Sequence, residues 1–266
     1  MRRQDEEDMT YVEMTREKKA ELAYESLLDC CEILANLSGG VKKFNGYDAY
    51  CVPETFWYNR IRLHGAPAAD LERTVAEIAG GVRAGELPPL VSWVDCDCAD
   101  ETVKPLLERA GYVPVTVQTA MYIPLEGRKA GAAAGVELLE PGEVKAWTRM
   151  ISQAFGKPPE TGGMKLLAGH GQCDFLVRRE QGAIVSGMML LCAGGNGGIH
   201  EVGTLPEYRR KGLARTLVSR ALDMAAEKGC TCATLQASEM GRPLYEHLGM
   251  EPVGGVHTWI YRQDAD

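Results

Sequence analysis

Residues 205–222 read "LPEYRRKGLARTLVSRAL". Three consecutive cations, Arg209, Arg210 and Lys211, precede Gly212 and Ala214. Apolar residues then recur at helical spacing: Leu213, Leu217, Val218, Leu222 and Ala225. A solubilising surface needs the charges but has no use for the small residues. A helix C-cap wants its glycine at the opposite end. A helix start accounts for both. The first backbone N–H groups of a helix have no partner inside it, and the helix dipole adds positive potential there. Small residues let an anion approach the backbone, and neighbouring arginines supply charge and paired donors. The preceding stretch, "GIHEVGTL" (residues 198–205), reads as a strand, and Pro206 marks the turn. Taken in register, these features predict an anion-binding strand-to-helix turn rather than a solvated basic loop.

The composition sets the bounds. A chain of 266 residues allows one large domain or two of ordinary size. With 45% apolar and 25% charged residues it has the profile of a globular protein with a proper core. The net charge of −8 argues against a broad nucleic-acid face. No apolar run reaches the roughly 18–20 residues of a membrane span, and the start "MRRQDEEDMT" lacks the apolar core of a secretory signal. A cytoplasmic location, with no membrane and no nucleic-acid partner, is the expectation. Nine cysteines, an odd count in a chain of this length, fit reduced thiols better than disulfides.

Periodicity predicts the following order. A helix over 14–40 carries Leu22, Leu27, Leu28, Cys31 and Leu34. "FWYNRIRL" is a strand with Ile61 and Leu63 on one face and Arg60 and Arg62 on the other. A helix over 67–84 begins at Pro67, which suits a first turn. "LVSWVD" is a strand, 102–110 a helix ended by Gly111, and "YVPVTVQTAMYIPL" a set of paired strands. "EGRKAGAAAG" (126–135) has no period and reads as a linker. Beyond it come a short strand (136–139), a helix over 143–155, a break at "KPPETGG", and the strands "DFLVRRE", "GAIVSGMMLLCA" and "GIHEVGTL". The motif helix to Lys228, the strand "CATLQAS", the helix "GRPLYEHL" and strands around "VHTWIYR" complete the chain. "WVDCDCADETVKPLLERAGYVPV" matches "TLQASEMGRPLYEHLGMEPVG" in outline, as a duplicated unit would. The expected fold class is mixed α/β in two parts, 1–125 and 136–266, joined by 126–135.

Arg209, Gly212 and Ala214 fall into the pattern Arg/Gln-x-x-Gly-x-Gly/Ala, and "VGTLPEYRRKGLARTLV" resembles the central motif of the GNAT N-acetyltransferase superfamily. "LQASEMGRPLYEHLGM" resembles the family's next motif, with Tyr245 four residues before Gly249 and Met250 in place of the usual aromatic. The resemblance covers residues 136–263 and, more weakly, 10–125. The first half lacks an Arg-x-x-Gly-x-Ala motif after a suitable strand. The chain therefore resembles two tandem GNAT-like domains, each a mostly antiparallel central sheet flanked by helices, the N-terminal copy degenerate.

The resemblance implies acetyl-CoA as co-substrate, with no metal. The strand ending at Val202, Gly203 and Thr204 would pair with pantetheine, and the loop Arg209, Arg210, Lys211, Gly212, Leu213, Ala214 and Arg215 would hold the pyrophosphate. It implies direct acetyl transfer to a small-molecule or peptide amine. Acetylation of a thiol or hydroxyl, and a non-catalytic acyl-CoA-binding module, are the alternatives. Tyr245 is the candidate acid for the leaving thiolate, against a role in packing. Glu201 and His200 are candidate bases. Strand alternation should turn only one of them to the cleft. Glu239 is a third candidate, with a helix-start role as its competitor. Only the C-terminal half should bind CoA, and a piece comprising residues 130–266 should retain some affinity. The acceptor should sit between the two halves, with Trp57, Tyr58 and Asn59 as pocket lining or core, and a homodimer is allowed. "CDC" (Cys96, Cys98) and "CTC" (Cys230, Cys232) lack the Cys-x-x-Cys spacing of structural zinc.

Overall fold

The computed structural model describes residues 14–64, 68–95, 101–128, 131 and 134–262. Pro67, Cys96 and Cys98 lie outside them. The first helix, α1 (Arg16–Ser38), starts where the Thr15 hydroxyl accepts a hydrogen bond from the Lys18 amide. It stops at Gly39 for a tertiary reason: a Cβ there would lie 2.1 Å from the Cys51 carbonyl oxygen. A hairpin follows, β1 (Gly40–Phe44) and β2 (Tyr47–Cys51), which the periodicity reading does not contain. Then come β3 (Arg60–Leu63), α2 (Ala68–Arg83), β4 (Leu90–Asp95), α3 (Val103–Arg109) and β5 (Tyr112–Pro124). The second half comprises β6 (Val136–Leu138), α4 (Val144–Phe155), α5 (Thr161–Ala168), β7 (Cys173–Glu180), β8 (Ala183–Ala193), β9 (Asn196–Thr204), α6 (Leu213–Glu227), β10 (Cys232–Ala237), α7 (Arg242–His247) and β11 (Glu251–Tyr261).

The eleven strands of the described residues form one sheet, ordered β1-β2-β3-β4-β11-β5-β10-β9-β8-β7-β6. The order repeats itself about the middle. β1–β2 and β2–β3 are antiparallel, β3–β4 is parallel, and β4 pairs antiparallel with β11. In the second half β7–β8 and β8–β9 are antiparallel, β9–β10 is parallel, and β10 pairs antiparallel with β5. β5 and β11 pair with each other at the centre. Each half therefore lends its last strand to the other half's sheet. The two stretches that match in sequence, β4–α3–β5 and β10–α7–β11, occupy corresponding places. The halves on either side of 126–135 interlock through their backbones.

Side chains of β5 alternate between two cores, as the pleat requires. Ala120 and Tyr122 join α1, α4 and α5 on one face; Met121 and Ile123 join α6 and α7 on the other. A third cluster lies under α2 and α3. α1 belongs to the first half in sequence but packs on the second: Asn196 donates to the Leu22 carbonyl and Arg16 to the Val253 carbonyl.

Three expectations need correction. "YVPVTVQTAMYIPL" is one strand, β5, kept continuous by partners on both sides. Arg60 is not on a solvent face but fully buried; its guanidinium donates to the Trp57 carbonyl and lies over the Trp57 ring. "KPPETGG" breaks the chain only briefly, because α5 begins within it at Thr161. Its glycines cost helix propensity, about 1 kcal/mol each. Gly163 is required by packing, because a Cβ there would stand 2.2 Å from the buried Thr55 Cγ2; a Cβ at Gly162 would meet only the movable end of Glu54.

The interlocked sheet changes the expectation for residues 130–266 alone. That piece lacks β5, so β10 and β11 lose the strand between them, and it lacks α1, so Val253 and Val256 lose their cover. It should show no cooperative thermal transition by circular dichroism, whereas the full chain should. A sharp melt of the piece near the full-chain temperature would contradict this account.

Candidate active site

The site begins where two parallel strands part. β9 and β10 pair only over Asn196↔Cys232, Gly197↔Ala233 and Gly198↔Thr234. Residues 199–204 of β9 and 235–237 of β10 run on without pairing to each other. A side-chain clamp closes the near end: Asn196 Nδ2 donates to Thr234 Oγ1 at 2.9 Å, and Thr234 Oγ1 donates back to Asn196 Oδ1 at 3.1 Å. The far end opens beside the N-terminus of α6.

β9 carries a bulge within this opening. Gly187 pairs with Gly203 and Met189 with His200, so Glu201 and Val202 together face Met188. Glu201 adopts φ +53°, a left-handed conformation uncommon outside glycine. α4 presses on the bulge. A Cβ at Gly187 would stand 2.5 Å from Trp147 Nε1, and one at Gly203 2.9 Å from Ile151 Cδ1. Helix packing thus favours glycine at 203. Thr204 is tied to β8 through its hydroxyl, 2.7 Å from Ser186 Oγ. Val202 packs against the cluster under α6 that also holds Tyr245.

The bulge also breaks the alternation expected of His200 and Glu201. His200 is buried against α1, since a Cβ on Gly198 would meet both His200 Nε2 and Ser26 Cβ. Its Nε2 has no hydrogen-bond partner, and burial lowers its pKa to about 4. Glu201 turns to the same side of the sheet, where its Oε1 accepts the Tyr58 hydroxyl at 3.0 Å. Burial pushes the Glu201 carboxyl above the ordinary value, while the Lys157 charge and the Tyr58 bond pull it down. Glu239 is exposed in the turn before α7, apart from this group.

The motif loop divides its cations between two tasks. Arg209, though exposed, is tied down: Nη2 donates to the Ala154 carbonyl at 2.7 Å and Nε to the Thr204 carbonyl at 3.2 Å, fastening the loop to α4 and β9. Arg210, Lys211 and Arg215 are exposed and make no ion pair among the described residues; Lys211 lies over the Tyr208 ring. Gly212 sits at the N-cap with φ +79° and no side-chain cap, and a Cβ there would meet nothing within 4 Å. The first turn of α6 holds no acidic residue, and Leu213 is buried beneath it while Ala214 is partly exposed. This is open, positive, uncapped space. α2 is the corresponding helix of the first half, and its first turn holds Asp70 bonded to Arg73, the wrong charge for an anion.

Tyr245 lies on α7 within the cluster of Leu217, Leu235 and Ala237, only 7% exposed. Burial alone raises its pKa, and its hydroxyl has no partner among the described residues. Sequence reasoning had no signal for Lys157 and Glu160 at this site. They arrive through the docking of the β2–β3 loop on the connection before α5: Glu160 Oε1 accepts the amides of Phe56 and Trp57 at 3.0 Å each. Of the triplet Trp57, Tyr58 and Asn59, the tyrosine alone reaches Glu201. Trp57 is flanked by Arg60 and Lys157, and Asn59 closes the loop by accepting the Val52 amide.

Comparison with known proteins agrees with this geometry. Residues 136–253 match the family model of the acetyltransferase (GNAT) domain. A mycothiol acetyltransferase from Beutenbergia cavernae is 32% identical over 130 residues, 44% of this chain and 43% of the relative. The match thus spans less than half the length of that protein. A GCN5-related N-acetyltransferase from Kribbella flavida superposes with a TM-score of 0.68 at 17% identity, covering 91% of this chain and 96% of its own. One from Sphaerobacter thermophilus gives 0.60 at 17%, covering 95% and 96%. These two likenesses extend over both halves and concern the fold. The strand splay, the β9 bulge and the α6 start all fall within 136–253, the segment that matches the GNAT acetyltransferase domain.

Proposed function

We propose that this protein transfers an acetyl group from acetyl-CoA to the amine of a small molecule or peptide by direct attack. The observation that carries the reading is the open, uncapped start of α6 at the mouth of the β9–β10 splay. The residues there fit the co-substrate. The free N–H groups at the start of α6, with Arg210, Lys211 and Arg215, would hold the pyrophosphate, and the unpaired edge of β9 beyond Gly198 offers backbone partners to an extended chain. When bound, acetyl-CoA supplies an activated thioester. The β9 N–H groups would polarise its carbonyl. The relative named mycothiol acetyltransferase supports acetyl transfer as the chemistry.

Glu201 is the best-placed base, because its carboxylate lies on the bulge and His200 is enclosed and weakly basic. Tyr245 is the candidate acid. Its raised pKa keeps the hydroxyl protonated, so against a thiolate whose ordinary pKa is about 8.5 it would act mainly as a hydrogen-bond donor, complete proton transfer being uphill. The N-terminal half is read as a copy that keeps the fold but not the anion site.

Four outcomes are expected. In a primary-amine panel scored by free-thiol release from acetyl-CoA, at least one amine should be turned over; a thioester left intact throughout would favour a non-catalytic binding module. Calorimetry should give one acetyl-CoA site per chain. Gly212→Glu should abolish it, while Gly212→Ala, which shares the backbone strain without the charge, should keep most of the affinity; equal affinity in the Glu variant would refute the phosphate site. Glu201→Gln should lower kcat by roughly 10²–10⁴-fold, the range of a general base. Because burial raises the carboxyl, wild-type activity should fall as pH drops through a value above 4.5, and this acid limb should vanish in the variant. Tyr245→Phe removes one hydroxyl and almost no volume, so melting and acetyl-CoA binding should persist while the single-turnover rate falls by roughly tenfold or more; an unchanged rate would leave Tyr245 a packing residue.

A further inference from the structure

We propose that Tyr58, contributed by the N-terminal half, is the positioning residue for the Glu201 carboxylate. The proposal rests on the reading of Glu201 as the base. The two side chains are 143 positions apart in sequence and meet at 3.0 Å. Tyr58 is 1% exposed, so its ring has little freedom.

The β2–β3 loop is tied down at several points. The Thr55 hydroxyl accepts the Tyr58 amide, Asn59 Oδ1 accepts the Val52 amide, and Glu160 of the second half accepts the Phe56 and Trp57 amides. The buried Arg60 guanidinium takes the Trp57 carbonyl. The Thr55 methyl fills the space left by Gly163. Across from it, Glu201 stands on the bulge at φ +53°, a conformation that persists where its surroundings over-determine it.

The hydroxyl therefore does two things. It occupies Oε1, leaving Oε2 for an incoming ammonium, and it holds one rotamer of a side chain that would otherwise have several. A hydrogen bond donated to the charged form favours that form, so the same contact opposes the upward push of burial on the carboxyl. The groups facing Glu201 are Lys157 from the α4–α5 connection, Glu160 ahead of α5, Tyr58 itself, and the buried thiol of Cys30 on α1, which burial keeps protonated. Lys157 alone among these brings a positive charge. Losing the Tyr58 bond should then move the Glu201 titration upward, not downward. This role also gives the first half a function in the chemistry that needs no second CoA site.

The test is Tyr58→Phe in the full chain. Carboxyl ¹³C NMR on glutamate-labelled protein, with the Glu201 signal assigned by its loss in Glu201→Gln, reads the contact without any acceptor. The Glu201 titration should move to higher pH. With the best amine from the thiol-release panel, kcat should fall by roughly tenfold, the scale of a hydrogen bond to a charged group. The acid limb should move up in step with the NMR titration, and KM for acetyl-CoA should not change. The variant with both Tyr58→Phe and Glu201→Gln should be no slower than Glu201→Gln alone. Thr55→Val, which loosens the loop but keeps the phenol, should shift the titration the same way by less. An unmoved Glu201 titration in Tyr58→Phe would overturn the proposal while leaving the base assignment standing. Full activity in Glu201→Gln would overturn both.

Discussion

The insertion of β5 between β10 and β11 is the constraint on which the rest of the structure depends. Backbone hydrogen bonds along both edges of β5 join the two halves, and no side-chain change can undo that register without breaking a central ladder. Because β5 fills the place beside β10, the β9–β10 pair can part at its far end without exposing the middle of the sheet. Because β11 fills the place beside β4, the first half keeps a complete sheet of its own pattern. α1 then lies across the join and binds carbonyl and side-chain groups of the second half. The cleft is an opening in an otherwise continuous sheet.

Within the cleft, packing and electrostatics are coupled through one short segment of β9. α4 is seated so closely that a Cβ at residue 187 would run into the Trp147 ring, and one at residue 203 would crowd Ile151 and Ala154. The bulge this packing surrounds turns Glu201 to the face where Tyr58 waits. His200, one residue earlier, goes into the core under α1, where its charged form is disfavoured. Two adjacent ionisable residues thus acquire opposite tendencies, the carboxyl held above its usual range and the imidazole below it. Beyond them, Thr204 and Arg209 tie the strand end to β8, α4 and the loop before α6, so the α6 start and the Glu201 carboxylate share one support.

The sequence carried a good part of this. The spacing of Arg209, Gly212 and Ala214 before Leu213, Leu217 and Val218 marked the α6 start without any fold information, since backbone chemistry at a helix terminus is local. The matching tails around β4–β5 and β10–β11 marked the repeat. The limits were just as physical. Periodicity missed the β1–β2 hairpin, whose strands are short and whose glycine junction reads as a stop. It split β5 at residues that only a doubly paired strand would carry straight through. It took Gly162 and Gly163 for a breaker, when the helix runs through both and Gly163 is the cost of letting Thr55 approach α5.

What the sequence by itself determined is therefore the chemistry that a few neighbouring residues can create: the positive, uncapped helix start, the apolar stripes, the repeated strand–helix–strand unit, and the resemblance these carry. The tertiary structure alone decided which half supplies which strand, which way Glu201 points, that Arg209 fastens the loop and leaves Arg210 and Lys211 exposed, and that Tyr58 reaches Glu201. Each of these is a contact between residues far apart in the chain. Such contacts are fixed by sheet order and by a bulge that breaks alternation, and neither leaves a periodic trace in the local sequence.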